Sequence, residues 1–258
     1  MKKKLVLLLS AILLGLSFVF FTPKSSEAPM PVIVGGIIPH HLLAEFIIDD
    51  FFVRLKKQNP ESIILIGPNH EEKGGNVLSA EIDWETEFGQ LKRDQYLIDR
   101  LKKGNFLNID EKILKEEHSI IDILPFIKKN LPSVKITPLI FRGVLRLSEL
   151  KKIAINLAQE LDEKTIIIGS VDFSHYLSAQ EAKLKDEETI EAIKNFDLER
   201  IYSFGNDHLD SPASLIIVLL ASRIKGKDNL KILNHTNSGI ITKNSFPPTT
   251  SYFSITFN

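Results

Sequence analysis

Seven histidines and no cysteine set the chemistry open to this chain. Three of the histidine positions share one local pattern. Pro31–Ile38 is an apolar run ending in Pro39-His40-His41. Ser62–Ile66 is a second run, stopped by Gly67-Pro68 and followed by Asn69-His70. Thr165–Gly169 leads into Ser170-Val171-Asp172-Phe173-Ser174-His175. Short, mostly β-branched apolar runs read as buried strands. In open α/β sheets ligands bind beyond the carboxyl ends of the strands, where all three runs deliver a histidine. Neutral imidazole suits iron, zinc, copper or nickel. Three protein ligands with open positions make a catalytic type of metal site. Without cysteine there is no disulfide, no thiolate nucleophile and no iron–sulfur cluster, so a metal needs His, Asp, Glu or water. No HxxxH or HExxH spacing occurs, so any convergence of these rings has to come from the fold.

The elements that must position them alternate. Helical spacing of Leu42, Leu43, Phe46, Ile47, Phe51 and Leu55 over His41–Lys57 makes a βαβ unit with the first two runs, hence a parallel pair. Val77–Ala80 reads as a short strand, Asp83–Gly89 as a loop with two aromatics, and Asp94–Lys103 as a helix. Glu116-Glu117-His118-Ser119 precedes an amphipathic helix over Ile120–Asn130, with Pro125 marking a kink or a later start. Val134–Phe141 is a strand, Leu147–Leu161 a helix, and Ala179–Asn195 a charged, solvent-facing helix. His208-Leu209-Asp210-Ser211-Pro212 opens an apolar helix, Ala213–Arg223. Asp210 and Ser211 read first as capping residues, and His208 is not needed for the cap. Leu230–His235 and Thr250–Phe257 read as strands. The expected fold is α/β: a three-layer α/β/α sandwich with a mostly parallel central sheet.

The 258 residues suffice for one such domain over 30–258. Net charge is -1, and Lys and Arg are spread over helix faces, so nothing suggests a phosphate-backbone binder, and no nucleic-acid partner is expected. Residues 1–29 differ. Met1-Lys2-Lys3-Lys4 precedes the apolar run Leu5–Phe21, the pattern of a secretory signal or N-terminal anchor. Pro29 after Ser26-Glu27-Ala28 makes a poor mature start, favouring a retained anchor in contact with the membrane and an exported domain. Other chemistries are less supported. Gly74-Gly75 forms no GxGxxG or P-loop, no Gly-x-Ser-x-Gly elbow occurs, and nothing favours a Ser–His–Asp triad built on Ser174 or Ser119. Trp84 reads as packing before it reads as a binding platform.

Six ordered motifs then carry a resemblance. They are Ile38-Pro39-His40, Ile66-Gly67-Pro68-Asn69-His70, Trp84-Glu85-Thr86 with Gly89, Glu117-His118-Ser119 with Leu124-Pro125-Phe126, Ser170–Tyr176, and Asn237-Ser238-Gly239. Together they resemble the MEMO family, also called AmmeMemoRadiSam system protein B, which is related in fold to the class III extradiol (LigB-type) dioxygenases. The resemblance implies metal ligands at His40 and His70. It places a third at His208, where the family has a cysteine four residues before the helix-opening proline. In the LigB-type relatives the third ligand is a carboxylate, which makes Asp207 and Asp210 fallback ligands. His175 is expected as the proton-transfer group, His118 as a pocket or substrate-orienting residue, and Asp172 as a residue that orients a histidine or hydrogen-bonds a ligand. The expected cofactor is a divalent metal, Fe(II) first, with copper or zinc as alternatives.

The expected function is a non-haem iron(II) oxygenase-like reaction on a small molecule the sequence does not name. The alternatives are a non-catalytic metal-binding or protein-interaction module and a metal-assisted hydrolase.

Overall fold

The structure is a computed structural model and describes residues 31–244 and 248–258. The expected signal or anchor, residues 1–29, lies outside the described residues. Among the described residues no helix is long and apolar enough to cross a membrane.

In chain order the described strands are β1 (Gly35–Ile38), β2 (Ser62–Pro68), β3 (Val77–Ser79), β4 (Trp84–Thr86), β5 (Gly89–Arg93), β6 (Asn108–Ile109), β7 (Lys135–Phe141), β8 (Thr165–Ser170), β9 (His175–Leu177), β10 (Leu230–Asn237) and β11 (Thr249–Phe257). At the centre β1, β8, β2 and β7 lie side by side in that order, all parallel. Their runs are apolar on both faces because helices cover both faces. Side chains alternate along a strand, so one run feeds two cores. Ile63 and Leu65 of β2 join Ile48, Phe51 and Leu55 of helix Glu45–Leu55 and Ile127 of helix Leu124–Asn130. Ile64 and Ile66 join Leu150 and Leu157 of helix Leu147–Ala158 and Leu215 and Leu219 of helix Pro212–Ile224. The result is the expected mostly parallel sheet with flanking helices. Its edges are mixed: β11 pairs antiparallel with β1 and β10, and β3 pairs antiparallel with β7.

Three local expectations change. β1 and β2 are parallel but not neighbours, because β8 stands between them and bonds to both. A crossover helix sets direction, and the strand that fills the gap comes from far along the chain. Asp83–Gly89 is no loop: β4 and β5 form a hairpin, and buried Trp84 packs in the core. The expected helix over Ile120–Asn130 is two helices, His118–Ile121 and Leu124–Asn130. Pro125 stands in the first turn of the second, where a missing N–H costs nothing.

Gly67 ties this architecture to the chemistry. A Cβ there would sit 2.5 Å from Ser119 Oγ and 2.9 Å from Ser119 Cβ. Only glycine lets helix His118–Ile121 close on the end of β2, where Ser119 Oγ donates to Pro68 O at 3.0 Å. Gly67→Ala is therefore expected to cost about 1–3 kcal/mol through overpacking. Denaturant unfolding of variant against wild type measures it; an unchanged midpoint would contradict the close approach.

Candidate metal centre

The carboxyl ends of β1, β2 and β8 meet in one cleft of about 640 Å³, lined by His40, His70, His118, Asp172, His175 and Asp210 among others. Each side chain arrives by a different route. His40 and His70 follow β1 and β2 directly. Asp172 follows β8. His118 opens the short helix after Glu117. Asp210 precedes helix Pro212–Ile224, whose N-cap is Ser211, accepting from Ser214 N. Since Ser211 does the capping, the Asp210 carboxylate is left for the cleft.

His40 is buried, only 2% exposed. Its Nδ1 lies 3.2 Å from Ser170 Oγ. Its Nε2 faces two carboxylates, Asp210 Oδ2 at 3.2 Å and Asp172 Oδ2 at 3.7 Å. Burial works against a charge on this ring, but Asp172 and Asp210 outweigh it and raise the pKa to about 9. Asp172 Oδ1 also accepts the His40 main-chain N–H, so Asp172 fixes both backbone and ring.

His70 is held by Glu117. One carboxylate oxygen accepts the His70 main-chain N–H at 2.9 Å, and the other lies 2.7 Å from His70 Nδ1. Burial would raise the Glu117 pKa, but its bonds from His70 and Ser119 hold it down at about 2. An ionised carboxylate accepts only, so His70 Nδ1–H donates to it, which fixes the ring and turns Nε2 toward the cleft. That Nε2 lies 4.0 Å from Asp210 Oδ2. Glu117 is the residue that sequence reasoning passed over. Its local signals are its place in the Glu117-His118-Ser119 motif, whose resemblance assigns it no role, and its position as N-cap of helix His118–Ile121, where it accepts from Ser119 N.

Among the described residues two groups could hold a metal ion: His40, His70 and His118, and His40, Asp172 and Asp210, with ligand atoms within 4.8 Å of one another in each. Two ligands on one ion at about 2.1 Å each stand no more than roughly 4.2 Å apart, and the His40–Asp210 and His70–Asp210 distances fall inside that limit. Asp210 Oδ1 is buried without a hydrogen-bond partner, a costly state that a cation relieves. The donor set and this orphaned oxygen fit a divalent metal. His118 stacks on His70 with centroids 3.9 Å apart and planes at 25°. An imidazole lone pair lies in its ring plane, so two stacked rings aim nearly side by side rather than at a common ion. Burial, then the neighbouring His70 and His40, push the His118 pKa down.

The expected third ligand, His208, is not brought to this point. Its ring stacks on Phe204 with centroids 3.9 Å apart, and its Nε2 lies 2.8 Å from Glu188. The reason is local. His208 N–H and Leu209 N–H both donate to Gly205 O, closing a turn. The chain then straightens through a Phe173–Leu209 bridge, and Asp210 N–H donates to Asp172 O while Asp172 N–H donates to Asp210 Oδ2. Asp210 therefore faces His40, and His208 stays behind the turn. Asp207, the other fallback, pairs with Lys185 at 3.2 Å. His175 reaches the cleft wall, with a buried Nδ1 that has no partner. The serine triad fails: Ser174 Oγ is buried, donates to Asp186 Oδ1 and lies 3.0 Å from Ser251 Oγ, from which it can accept, and Ser119 Oγ donates to Pro68 O.

Comparison with known proteins bears on the family and the fold. A family described as Memo-like protein matches residues 19–253. A MEMO1 family protein of Methanococcus maripaludis is 32% identical over 190 residues, covering 70% of this chain and 67% of its own. One from Methanosarcina barkeri is 29% identical over 219 residues, 81% of each chain. The crystal structure of an uncharacterized Escherichia coli protein superposes with a TM-score of 0.59 at 11% identity, covering 85% of this chain and 99% of that one. The last likeness concerns the fold alone.

Proposed function

Starting from the membership of this chain in the Memo-like protein family, we propose that it holds one divalent metal, Fe(II) first, on His40, His70 and Asp210. We propose further that it is a non-haem iron oxygenase-like enzyme acting on a small molecule. The observation that carries this reading is the approach of Asp210 Oδ2 to the Nε2 atoms of both His40 and His70. Two histidines and one carboxylate on one side of an ion is the donor set of non-haem Fe(II) oxygenases. Bound there, iron would supply one-electron chemistry.

The residues of the chain do the rest. Glu117 and Ser170 bond the Nδ1 atoms of His70 and His40 and so orient both rings. Asp172 is a positioning residue that holds the His40 backbone. His175, with an unengaged Nδ1, takes the proton from a substrate hydroxyl. His118, neutral because burial and its neighbours depress its pKa, lies over His70 and orients the substrate. An extracytoplasmic setting rests on the basic start and apolar run of residues 2–21.

The test is anaerobic loading of the metal-free protein with Fe(II), then oxygen uptake with a panel of catechols and other hydroxylated small molecules. Substrate-dependent uptake is expected, absent in His70→Ala. In His175→Ala it should fall by about 10²-fold or more with iron content unchanged. Bound iron with no uptake for any substrate would leave a binding protein, and anaerobic turnover with zinc would leave a hydrolase; either result overturns the oxygenase reading.

A further inference from the structure

We propose that His41, the chain neighbour of His40, is the substrate-recognition residue of the cleft, and that its Nε2–H binds an uncharged acceptor oxygen of the substrate. The substrate class is then a metal-chelating small molecule that also carries a carbonyl, as an amide, ester or ketone, away from its chelating head. This inference rests on the metal reading above and deepens it.

The Asn237-Ser238-Gly239 motif, to which the metal centre gives no role, holds His41 from behind. Asn237 caps helix Ser238–Thr242, its Oδ1 accepting from Ile240 N at 2.9 Å. A Cβ at Gly239 would stand 2.8 Å from Asn244 O, so the chain can return over this helix only past a glycine. Ser238 Oγ accepts the Thr250 N–H at 2.9 Å and is hydrogen-bonded to the Tyr252 hydroxyl. Tyr252 is fully buried beside Ala44, Ile47 and Ile241. Its Oη lies 2.5 Å from His41 Nδ1. His41 itself is exposed and lines the cleft, as does Thr250.

The order of these bonds sets a direction. A main-chain N–H only donates, so Thr250 N–H takes a lone pair of Ser238 Oγ and leaves the serine proton for Tyr252. Tyr252 Oη accepts that proton and gives its own to His41 Nδ1. With Nδ1 accepting, the ring proton is on Nε2, and that N–H is the group His41 offers to the cleft. A fixed donor selects an acceptor. Among the described residues lining the cleft there is no Lys or Arg, whereas Glu72 and Asp122 stand in its wall. Like charge therefore opposes a carboxylate at this position, and an uncharged carbonyl fits. One such hydrogen bond is worth about three- to tenfold in affinity.

Two readouts test this. The first uses the metal-free full chain with isotope-labelled histidine, in which long-range proton–nitrogen spectra at about pH 9 show which ring nitrogen holds the proton. The His41 signals are those missing from His41→Gln. The Nε2–H tautomer is expected in wild type and a mixture of both in Tyr252→Phe. An Nδ1–H tautomer in wild type would overturn the proposal and leave the metal reading untouched. The second is calorimetric titration of the Zn(II)-loaded full chain with 4-methylcatechol, 3,4-dihydroxybenzamide and 3,4-dihydroxybenzoate, with metal content measured on the same samples. His41→Leu, at an exposed position, should weaken the benzamide about three- to tenfold and leave 4-methylcatechol within about twofold. His41→Gln keeps an N–H donor and should restore most of the benzamide affinity, and the benzoate should lose less than the benzamide in His41→Leu. Equal losses for benzamide and methylcatechol, no loss for either, or the largest loss for benzoate would overturn the proposal. Failure of zinc uptake or of 4-methylcatechol binding in wild type would overturn the metal reading, and this proposal with it.

Discussion

In His70→Ala, bound metal is expected to fall from about one per chain to near zero after exchange against a weak chelator, with the fold intact. His70 is partly exposed and outside the apolar clusters, so its removal empties a coordination position without opening a core cavity. Four-ligand sites bind zinc with about 10–16 kcal/mol. One ligand is then worth about 3 kcal/mol, or roughly two to three orders of magnitude in affinity. Asp210→Ala should lose a similar amount, and His208→Ala should retain its metal within about threefold. That contrast separates two donor sets two residues apart. The His208 ring is 2.8 Å from Glu188 and stacked on Phe204, and its loss is felt there, in stability. Metal content by mass spectrometry and competition titration decides. If His208→Ala loses metal while Asp210→Ala keeps it, the geometry derived above is wrong.

The second large effect is the pH dependence of the metal-free protein. His40 Nε2 faces Asp172 and Asp210, Glu117 adds to their field, and His70 and His118 stand beside it. Its pKa is about 9 in the folded state against 6.5 for the free side chain. A raised pKa means that the folded state holds the proton more tightly. The stabilisation is full below pH 6.5 and is lost as pH rises through 9; a shift of this size is worth about 3 kcal/mol. Glu117 acts in the opposite direction. Its pKa of about 2 lies below the 4.5 of a free glutamate, so its contribution is present above pH 4.5 and is lost as pH falls toward 2. The chelated protein should melt highest between these windows and lose about 6–12 °C by pH 9.5. Metal must displace the His40 proton, so loading at neutral pH releases a proton, and affinity should rise about tenfold per pH unit up to about pH 9. Thermal melts in chelator and proton-release titrations measure both. A melting temperature flat from pH 6.5 to 9.5 would show that the His40–carboxylate cluster does not carry this coupling.

The pattern of residues was sufficient for much of this molecule. Ile63–Ile66 and Ile166–Ile168, within Ser62–Ile66 and Thr165–Gly169, are apolar on both faces of a strand, which reads as central strands covered by helices. His40 and His70 stand just past strand ends, where an α/β sheet opens its ligand crevice. The absence of cysteine confined any metal to nitrogen and oxygen donors. Each of these follows from short-range periodicity or from composition, which a linear chain displays directly.

Other features belong to the folded state alone. The insertion of β8 between β1 and β2 is a choice of hydrogen-bond partner across more than a hundred residues. The pairing of Glu117 with His70 depends on how closely Gly67 lets a helix approach. The inward turn of Asp210 rather than His208 is set by one turn closed on Gly205 O and one bridge to Phe173. Neighbouring side chains on an irregular loop have no fixed period. The direction each one points is decided by the main-chain bonds the loop makes with the rest of the protein, and those exist only once the distant segments have met.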